Sequence, residues 1–570
     1  MSVGICDLAH LSGRQSKTRV LLTRILWVVM GRGVFDLRRY MERRFMRNKG
    51  NNRWWSLVCV CISLIVISLD NTILNVALPA ISRSLGASAS QLQWVLDAYV
   101  LVFAAMLLTM GSIGDRVGRK RALQFGLVWF AVGSLAAALS TTTDMLILTR
   151  AILGIGGATI MPSTLSIITA SFPDRKERSK AIGIWAAVFA LGVGIGPVIG
   201  GWLLERFEWG SVFMVNLPIA AVALISGQIF ITDSRDENAP KPDVPGVLLS
   251  IVGLFALVYG IIEAGQTSWT DTTVLTAFGA SIILLGLFGW WESHTSHPML
   301  PIRFFRNLSF TGANIAVAML TFCLFGALFF LSQFFQSVQG YSPLEAGVRI
   351  LPMALMAMVA SSLSSRLSER FGIKTVTSVG LLISAGGFLY MASLAVADIP
   401  YGVAVVGLSI TALGIGLAMP VATDSIMGSV PVDKAGVGSA MNDTTRQIGG
   451  ALGIAILGTI MNRTYLVSVN NLLATNPLFK LLPDKGVEAI RASITGAHVV
   501  AEQIPMAAMA KQLTDTANAA FVTGMKDALF VGAGILLVAA VITFIILPAH
   551  IQASQETAVP TTKASLQGTD

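Results

Sequence analysis

Fourteen apolar segments of about twenty residues divide this chain and leave little room for a soluble fold. In the hydrocarbon core a backbone N–H or C=O group finds no water, so a spanning segment must form a helix or part of a closed barrel. These segments are about twice as long as barrel strands and lack their alternating polarity. We therefore predict an all-α integral membrane protein with fourteen transmembrane helices. The segments are centred near Val66, Val102, Val132, Ile160, Leu191, Val222, Leu254, Ile283, Leu320, Met356, Ile383, Thr411, Ile454 and Val538.

The composition agrees with a membrane protein, because 54% of the 570 residues are hydrophobic and only 12% are charged. Soluble proteins carry about 25% charged residues. The net charge of +9 does not indicate nucleic-acid binding, because the basic residues flank apolar segments. The four cysteines and five histidines show no disulfide framework or metal-ligand spacing. Since we find no phosphate loop or nucleophile elbow either, we expect no enzyme activity, no metal and no cofactor.

Basic residues are divided unequally between the two sets of short loops. The loops after even-numbered segments hold most of them, whereas the opposite set holds little beyond Arg83, Arg206 and Arg349. By the positive-inside rule the basic loops are cytoplasmic. The even number of segments places both termini on the same side, in a multi-pass protein of the cell membrane.

Two of the basic loops repeat one motif. The loop after the second segment reads Gly111-x3-Asp115-Arg116-x-Gly118-Arg119-Lys120, and the loop after the tenth reads Ser365-x3-Glu369-Arg370-x-Gly372-x-Lys374. Repeated halves are typical of transporters built from parallel repeats. Such an acid–arginine network can clamp adjacent helix ends in one state and release them in another. A positively charged topology anchor is the simpler explanation, and the two are compatible.

The repeat indicates how the chain is organised. We expect a basic N-terminal extension at 1–53, six-helix bundles at 54–232 and 309–548, a linker with two inserted helices at 233–308, and a tail at 549–570. The extension is either an amphipathic helix on anionic lipid or an upstream addition to a start at Met46. Segment 462–526 is predicted to lie outside and to contain a small helical hairpin. It forms either a vestibule or partner site or a solvated loop.

Glycine and proline are concentrated in an uncharged run between Ala181 and Leu204. In a soluble helix Gly costs about 1 kcal/mol and Pro about 3 kcal/mol relative to Ala. In a bilayer, small residues instead let helices approach closely. The fourth-residue spacing of Gly192, Gly196 and Gly200 predicts one smooth stripe for another helix. Ordinary packing and a functional hinge both fit this pattern. Its fixed positions are Gly183, Gly192, Gly196, Pro197, Gly200 and Gly201.

Taken together, these patterns resemble the major facilitator superfamily. The loop 111–120 is similar to its signature between helices two and three, and 183–201 to the antiporter signature of helix five. Residues 69–79, Leu-Asp-Asn-Thr-Ile-Leu-Asn-Val-Ala-Leu-Pro, resemble the first-helix signature of the fourteen-helix drug:proton antiporters, the EmrB/QacA type. Residues 150–154 resemble the fourth-helix signature, with leucine where many members have glutamine. The resemblance covers about 54–548 and implies export of small, often lipophilic compounds against inward proton flow.

Charged residues inside the apolar segments are candidates for coupling, because an ionised side chain at mid-membrane costs several kcal/mol. By resemblance to the first-helix motif, Asp70 is the leading proton carrier, and Arg150 would tune its proton affinity. The alternative for Asp70 is a polar group that braces a helix break. We expect Asp424 and Glu263 at water-facing rims, and Arg446 near the cytoplasmic end in a structural or gating role.

The substrate site is predicted to be mostly apolar, with few polar groups. Asp97 would attract an organic cation, and Trp94 or Tyr99 would add cation–π contact. Asp97 equally fits a water-facing position near the outer rim. Met and Phe side chains suit promiscuous binding, although lipid-facing packing explains most of them equally well. The candidates for the substrate site are Asp97, Trp94, Tyr99, Asn75, Gln333 and Gln336.

These observations predict a proton-coupled multidrug exporter that works by alternating access as a monomer. Its partners would be a small-molecule substrate, protons and membrane lipid, with no nucleic acid. One alternative is a narrow exporter of an endogenous metabolite, lipid or antibiotic. Another class is a non-transporting membrane sensor or assembly partner, for which the external segment 462–526 would offer a surface.

Overall fold

The computed structural model describes residues 49–85, 87, 89–235, 243–295, 298, 300–475, 479 and 482–548. The expectations for the N-terminal extension before residue 49 and for the tail after residue 548 lie outside these ranges. Throughout the described ranges the chain is helical and contains no strand. Fourteen helical segments of the described chain are long and apolar enough to cross a membrane, which confirms the predicted number of spans.

The first six spans are formed by seven helices. Helix α4 begins where Thr142 accepts a hydrogen bond from the Met145 N–H, and α5 begins where Asp174 accepts one from the Glu177 N–H. These side chains satisfy N–H groups that have no partner within the helix. The helices are α1 (Lys49–Leu85), α2 (Ala89–Val117), α3 (Arg119–Ala138), α4 (Thr143–Ser171), α5 (Arg175–Leu204), α6 (Ser211–Met214) and α7 (Asn216–Phe230), the last two sharing the sixth span.

Two inserted spans and six further spans follow. Ser342 and Glu345 form a capping box at the start of α11, where each side chain accepts a hydrogen bond from the other residue's N–H. Short 3-10 turns, Ile302–Arg306 and Val432–Lys434, precede α10 and α14. The helices are α8 (Val244–Gln266), α9 (Thr272–His294), α10 (Leu308–Gln333), α11 (Pro343–Phe371), α12 (Ile373–Leu394), α13 (Tyr401–Gly428), α14 (Ala435–Thr475), α15 (Asp484–Ala492), α16 (Ile494–Gln503) and α17 (Ala507–Ile546).

The segment predicted to form an external hairpin is more helical than expected. Besides the two short helices α15 and α16, the spanning helices α14 and α17 themselves extend into it. The Tyr465 hydroxyl donates to the Ile490 carbonyl at 2.8 Å, and His498 Nε2 lies 2.8 Å from Asn518 Oδ1. These bonds tie α15 and α16 to the extended ends of the two spans.

The two repeated loops share a backbone feature as well as a sequence. Gly118 begins α3 with φ 117°, and Gly372 begins α12 with φ 81°. Residues with a side chain rarely adopt such positive φ values. Glycine therefore lets each loop turn sharply between two helices. The end of the bundle formed by residues 115–121, 174–180 and 366–374 is called the basic-loop end below.

Helix α5 presents a small-residue face to α1. A Cβ added at Gly192, Gly196 or Gly200 would overlap Ser68, Thr72 or Ile73 of α1 respectively. The fourth-residue glycines therefore form the smooth stripe that their spacing predicts, and α1 fills it. Helix α5 remains continuous through Pro197.

A second small-residue face of α5 meets α11, across the seam between the first and the last six spans. A Cβ at Gly183 would lie 2.9 Å from the Ser361 carbonyl oxygen, and one at Gly201 would lie 3.1 Å from the Leu344 Cβ. Conversely, a Cβ at Gly347 of α11 would lie 2.9 Å from the Pro197 Cβ. The glycines of α5 outside the fourth-residue stripe thus pack against α11 and not against α1.

We expect Gly192→Ala to lower the melting temperature. Its Cβ would stand 2.8 Å from the Ser68 Cβ, so α1 and α5 must separate, and overpacking of this kind costs about 1–3 kcal/mol. The measurement is thermal unfolding of the purified protein in detergent. Gly279→Ala on α9 is the matched control, because nothing lies within 4 Å of its added Cβ. Equal melting temperatures for the two variants would contradict the close packing of α5 on α1.

Candidate coupling site and the seam between the two groups of spans

A buried ion pair joins α1 to α4. Arg150 Nη1 lies 2.6 Å from Asp70 Oδ2, and the two side chains are 2% and 0% exposed. The sequence nominated both residues, and the structure brings them together. Two charges removed from water are stabilised only when their geometry is good and their remaining donors and acceptors are also satisfied.

Helix α2 supplies the next contacts of Arg150. Its Nε donates to the Val95 carbonyl oxygen at 3.0 Å, and its guanidinium lies 4.4 Å from the centre of the Tyr99 ring. The ring of Phe213 on α6 faces the same guanidinium at 6.0 Å. A planar guanidinium can donate in two directions and stack on a ring at once, which a lysine ammonium cannot do.

Asn216 on α7 completes the environment of the carboxylate. Its Nδ2 lies 3.4 Å from Asp70 Oδ1 and 3.3 Å from Ser134 Oγ on α3. Sequence reasoning missed Asn216, although a single amide at the start of an apolar span was the available signal. Donors thus approach both oxygens of Asp70, and the cluster draws on six of the first seven helices.

The structure separates the substrate candidates of α2. Tyr99 is fully buried in the ion-pair cluster and stacks on Phe103. It therefore lies apart from Trp94, the other aromatic candidate for the substrate site. Trp94 instead stacks on Tyr259 of α8, with ring centres 6.3 Å apart. Asp97 lies three residues after Trp94, on the face of α2 turned towards α8.

The other substrate candidates lie elsewhere. Gln333 Nε2 donates to the Phe329 carbonyl oxygen of its own helix at 3.4 Å. Gln336 is half-buried in the π-helical turn Phe334–Val338 that follows α10. Asn75 belongs to α1, but its side chain is outside the described part of the structure.

At the basic-loop end, Asp115 connects α2 to the start of α14. It accepts hydrogen bonds from the Gly436 N–H at 2.6 Å and the Val437 N–H at 3.2 Å. Its ion-pair partner is Arg119, at 2.8 Å, while Arg116 is exposed. Arg119 also donates to the Val432 carbonyl oxygen at 2.5 Å. The first repeated loop therefore binds the cap and first turn of a helix from the last six spans.

Glycine makes this approach possible. A Cβ at Gly111 would collide with the backbone of Gly436, and a Cβ at Gly436 would collide with Gly111 in return. The small residue that opens the motif therefore lets α2 and α14 touch backbone to backbone.

The second repeated loop is built differently. Glu369 is exposed and pairs with Lys176 of α5 at 3.7 Å, and Arg370 lies over the ring of Phe371. An exposed pair at this distance contributes about 0–1 kcal/mol. The sequence offered a clamp as one explanation of both loops, but of these two described ion pairs only that of the first loop is buried.

Asp424 corrects an expectation. It was expected at a water-facing rim, yet it is 5% exposed and lies 3.4 Å from Arg178 Nε at the start of α5. The partner lies 246 residues away in the sequence, which no local pattern reveals. This pair adds a second buried connection across the seam at the basic-loop end.

A fourth buried acid–arginine pair lies in α14. Arg446 Nη1 is 4.0 Å from Asp443 Oδ1, and its guanidinium lies 4.4 Å from the centre of the Phe189 ring on α5. Asn442 Nδ2 donates to Asp443 Oδ1 at 3.2 Å. We expected Arg446 to be structural or gating, but sequence reasoning missed Asp443, an acid in the same apolar segment.

In this structure the spanning helices pack across a shared seam, and acid–arginine pairs are buried among them. This arrangement is typical of a secondary transporter. The family model of the Major Facilitator Superfamily matches residues 60–454. The chain therefore belongs to the Major Facilitator Superfamily.

Known relatives agree with this assignment. The chain is 36% identical to the multidrug efflux pump LfrA of Mycolicibacterium smegmatis over 86% of its own length and 95% of the relative's. It is 35% identical to the methyl viologen resistance protein SmvA of Salmonella typhimurium, covering 73% and 84%. Its fold is similar to that of the proton:xylose symporter XylE, with a TM-score of 0.58 over 88% and 97% of the chains and 12% identity.

We expect Arg150→Lys to lower the melting temperature although it keeps the charge. One ammonium group cannot retain the Asp70 contact, the Val95 bond and the stacking on Tyr99. Losing a buried charge-assisted hydrogen bond costs about 1.5–3 kcal/mol. Arg206→Lys is the matched control, because Arg206 also faces a ring, that of Trp202, but is 53% exposed. If both substitutions changed thermal unfolding equally, the cluster would contribute no special stability.

We expect Asp115→Asn to loosen the first turn of α14. The amide keeps one acceptor but loses the charge that strengthens the Gly436 and Val437 bonds. Hydrogen–deuterium exchange of those amides should become about tenfold faster, which corresponds to roughly 1.4 kcal/mol. Glu369→Gln, at the equivalent place in the exposed second loop, should leave exchange at the basic-loop end unchanged. The same acceleration in both variants would show that the two loops act alike.

Proposed function

We propose that this protein is a proton-coupled antiporter that exports small lipophilic cations by alternating access. The observation that carries the proposal is the buried cluster of Asp70, Arg150 and Asn216, in which a carboxylate lies among the spans with donors at both of its oxygens. Intramembrane acids of this kind usually belong to ion pathways.

The cluster can exist in two protonation states. With Asp70 ionised, Arg150 balances its charge; with Asp70 protonated, the guanidinium is still held by the Val95 carbonyl and the Tyr99 ring. Arg150 keeps contacts in both states. The site can therefore take up and release a proton while the neighbouring side chains stay in place. One proton moving inward releases about 2.3 kcal/mol per 100 mV of membrane potential.

Alternating access would use the contacts at the basic-loop end. Asp115, Asp424 and Glu369 each connect the first six spans to the last six there. Opening this end would break these bonds, whereas the smooth glycine faces of α5 would let helices slide without unlocking side chains. We propose the two groups of spans, 54–232 and 309–548, as the moving bodies.

The relatives support an export function. LfrA is called a multidrug efflux pump, and SmvA is called a methyl viologen resistance protein. Methyl viologen is a planar organic dication, and Asp97 beside Trp94 offers a carboxylate and an aromatic face of the kind that binds such cations. Family membership favours a transporter over an enzyme. We place the protein in the cell membrane with both termini in the cytoplasm.

The decisive variant is Asp70→Asn, which imitates the protonated carboxylate. We expect it to fold and insert but to lose efflux driven by a pH gradient, because the amide can no longer exchange a proton. Ethidium transport into inverted vesicles, with and without the gradient, measures this. Asp144→Asn on the same helix as Arg150 is the control, because Asp144 is exposed and should not affect transport.

The outcomes separate the candidate functions. Gradient-driven ethidium transport by Asp70→Asn would contradict the coupling role of Asp70. A wild-type protein that moves one antibiotic or metabolite but no unrelated cations would indicate a narrow exporter. A wild-type protein that transports no compound in a chemically broad panel would indicate the non-transporting class.

A further inference from the structure

We propose that the first inserted helix, α8, forms part of the cation-binding site and supplies its entry from the membrane. Three aromatic rings, those of Phe255, Tyr259 and Trp94, form a ladder that leads from the outer surface of α8 to Asp97 of α2. The ligand class is a lipophilic organic cation with a planar or aromatic body. The proposal rests on the export function above and adds residues and a path to it.

Helix α8 lies where such a path is needed. It packs against α2 of the first six spans and against α14 of the last six, while α9 covers its other side. In the loop after α8, Trp269 Nε1 lies 3.4 Å from Thr459 Oγ1 of α14. The inserted helix therefore borders the seam that alternating access must open.

The face of α2 that packs against α8 contains one acidic residue, Asp97, among apolar residues. Leu101 and Ala104 of α2 pack with Val258 of α8 in a small separate core, and Trp94 packs against the same core. Asp97 falls between them at helical spacing, so it lies on the same face of α2. A half-buried carboxylate that shares a face with apolar residues and aromatic rings can attract a cation, which makes Asp97 a site candidate.

The rings of α8 extend this face to the outer surface of the bundle. Tyr259 stacks on Trp94 at 6.3 Å and on Phe255 at 6.4 Å, with interplanar angles of 27° and 4°. Phe255 is 42% exposed, whereas Tyr259 and Trp94 are half-buried. The aromatic faces thus continue from the surface of the bundle towards the carboxylate.

Such a ladder selects for two properties at once. Aromatic faces attract cations and apolar bodies, and the attraction grows where water is excluded. The carboxylate at the inner end adds charge selectivity, since a neutral compound gains nothing from it. A similar stacked pair, Phe125 and Trp129 on the exposed face of α3, lies on a helix without any acidic residue. It has the rings but lacks the carboxylate.

Binding to the purified full-length protein tests the proposal. The probes are ethidium, a planar aromatic cation, and Nile red, a neutral lipophilic dye, followed by fluorescence anisotropy. We expect Tyr259→Leu to raise the Kd for ethidium about tenfold and Phe255→Leu about threefold. Tyr259→Phe keeps the ring and should remain within about twofold of wild type. None of these changes should alter Nile red binding by more than about twofold, and Phe125→Leu should alter neither probe.

Three results would overturn the proposal. The first is unchanged ethidium affinity in Tyr259→Leu and Phe255→Leu. The second is an equal loss for ethidium and Nile red, which would indicate a merely structural role of the rings. The third is a loss in Tyr259→Phe as large as that in Tyr259→Leu. A wild-type protein that binds no ethidium at all would instead overturn the proposed function together with this site.

Discussion

The ion pair between Asp70 and Arg150 is the interaction around which the first group of spans is organised. Through the Val95 carbonyl, the Tyr99 ring and the Asn216 amide, it connects α1 and α4 to α2 and α7. Because each charge is removed from water, every neighbouring donor and acceptor has to be placed well. The same demand makes this site a structural centre of the group, and it supports the proposal that Asp70 exchanges a proton there.

Helix α5 adds the second constraint. One of its small-residue faces fits α1 of the same group, and the other fits α11 across the seam. Close packing of small residues holds the two groups together without interlocking side chains. Polar contacts at the basic-loop end, such as those of Asp115 and Asp424, add to this packing, and under the proposed alternating access they would break when that end opens.

Residues that lie near each other in the sequence were easier to predict than residues that meet in space. The spans and the glycine stripe were foreseen, because each depends on composition or on a local motif. Asp70 and Arg150 were each nominated by the sequence, but only the structure shows that they meet. The structure places Tyr99 beside Arg150, which the sequence did not indicate, because residues two positions apart on one helix face different neighbours. The burial of Asp424 and the exposed pairing of Glu369 were missed, because each depends on a partner at the start of α5, far away in the sequence.

The sequence by itself determined that this chain spans a membrane fourteen times as helices and carries acids where water is absent. That follows from the bilayer, which accepts few other solutions for backbone polar groups. The tertiary structure alone decided which charges meet, which face of α5 serves which neighbour, and that α8 brings its rings to the face of Asp97. These relations depend on helix rotation and on contacts between distant segments, and neither is encoded in the local pattern of apolar residues.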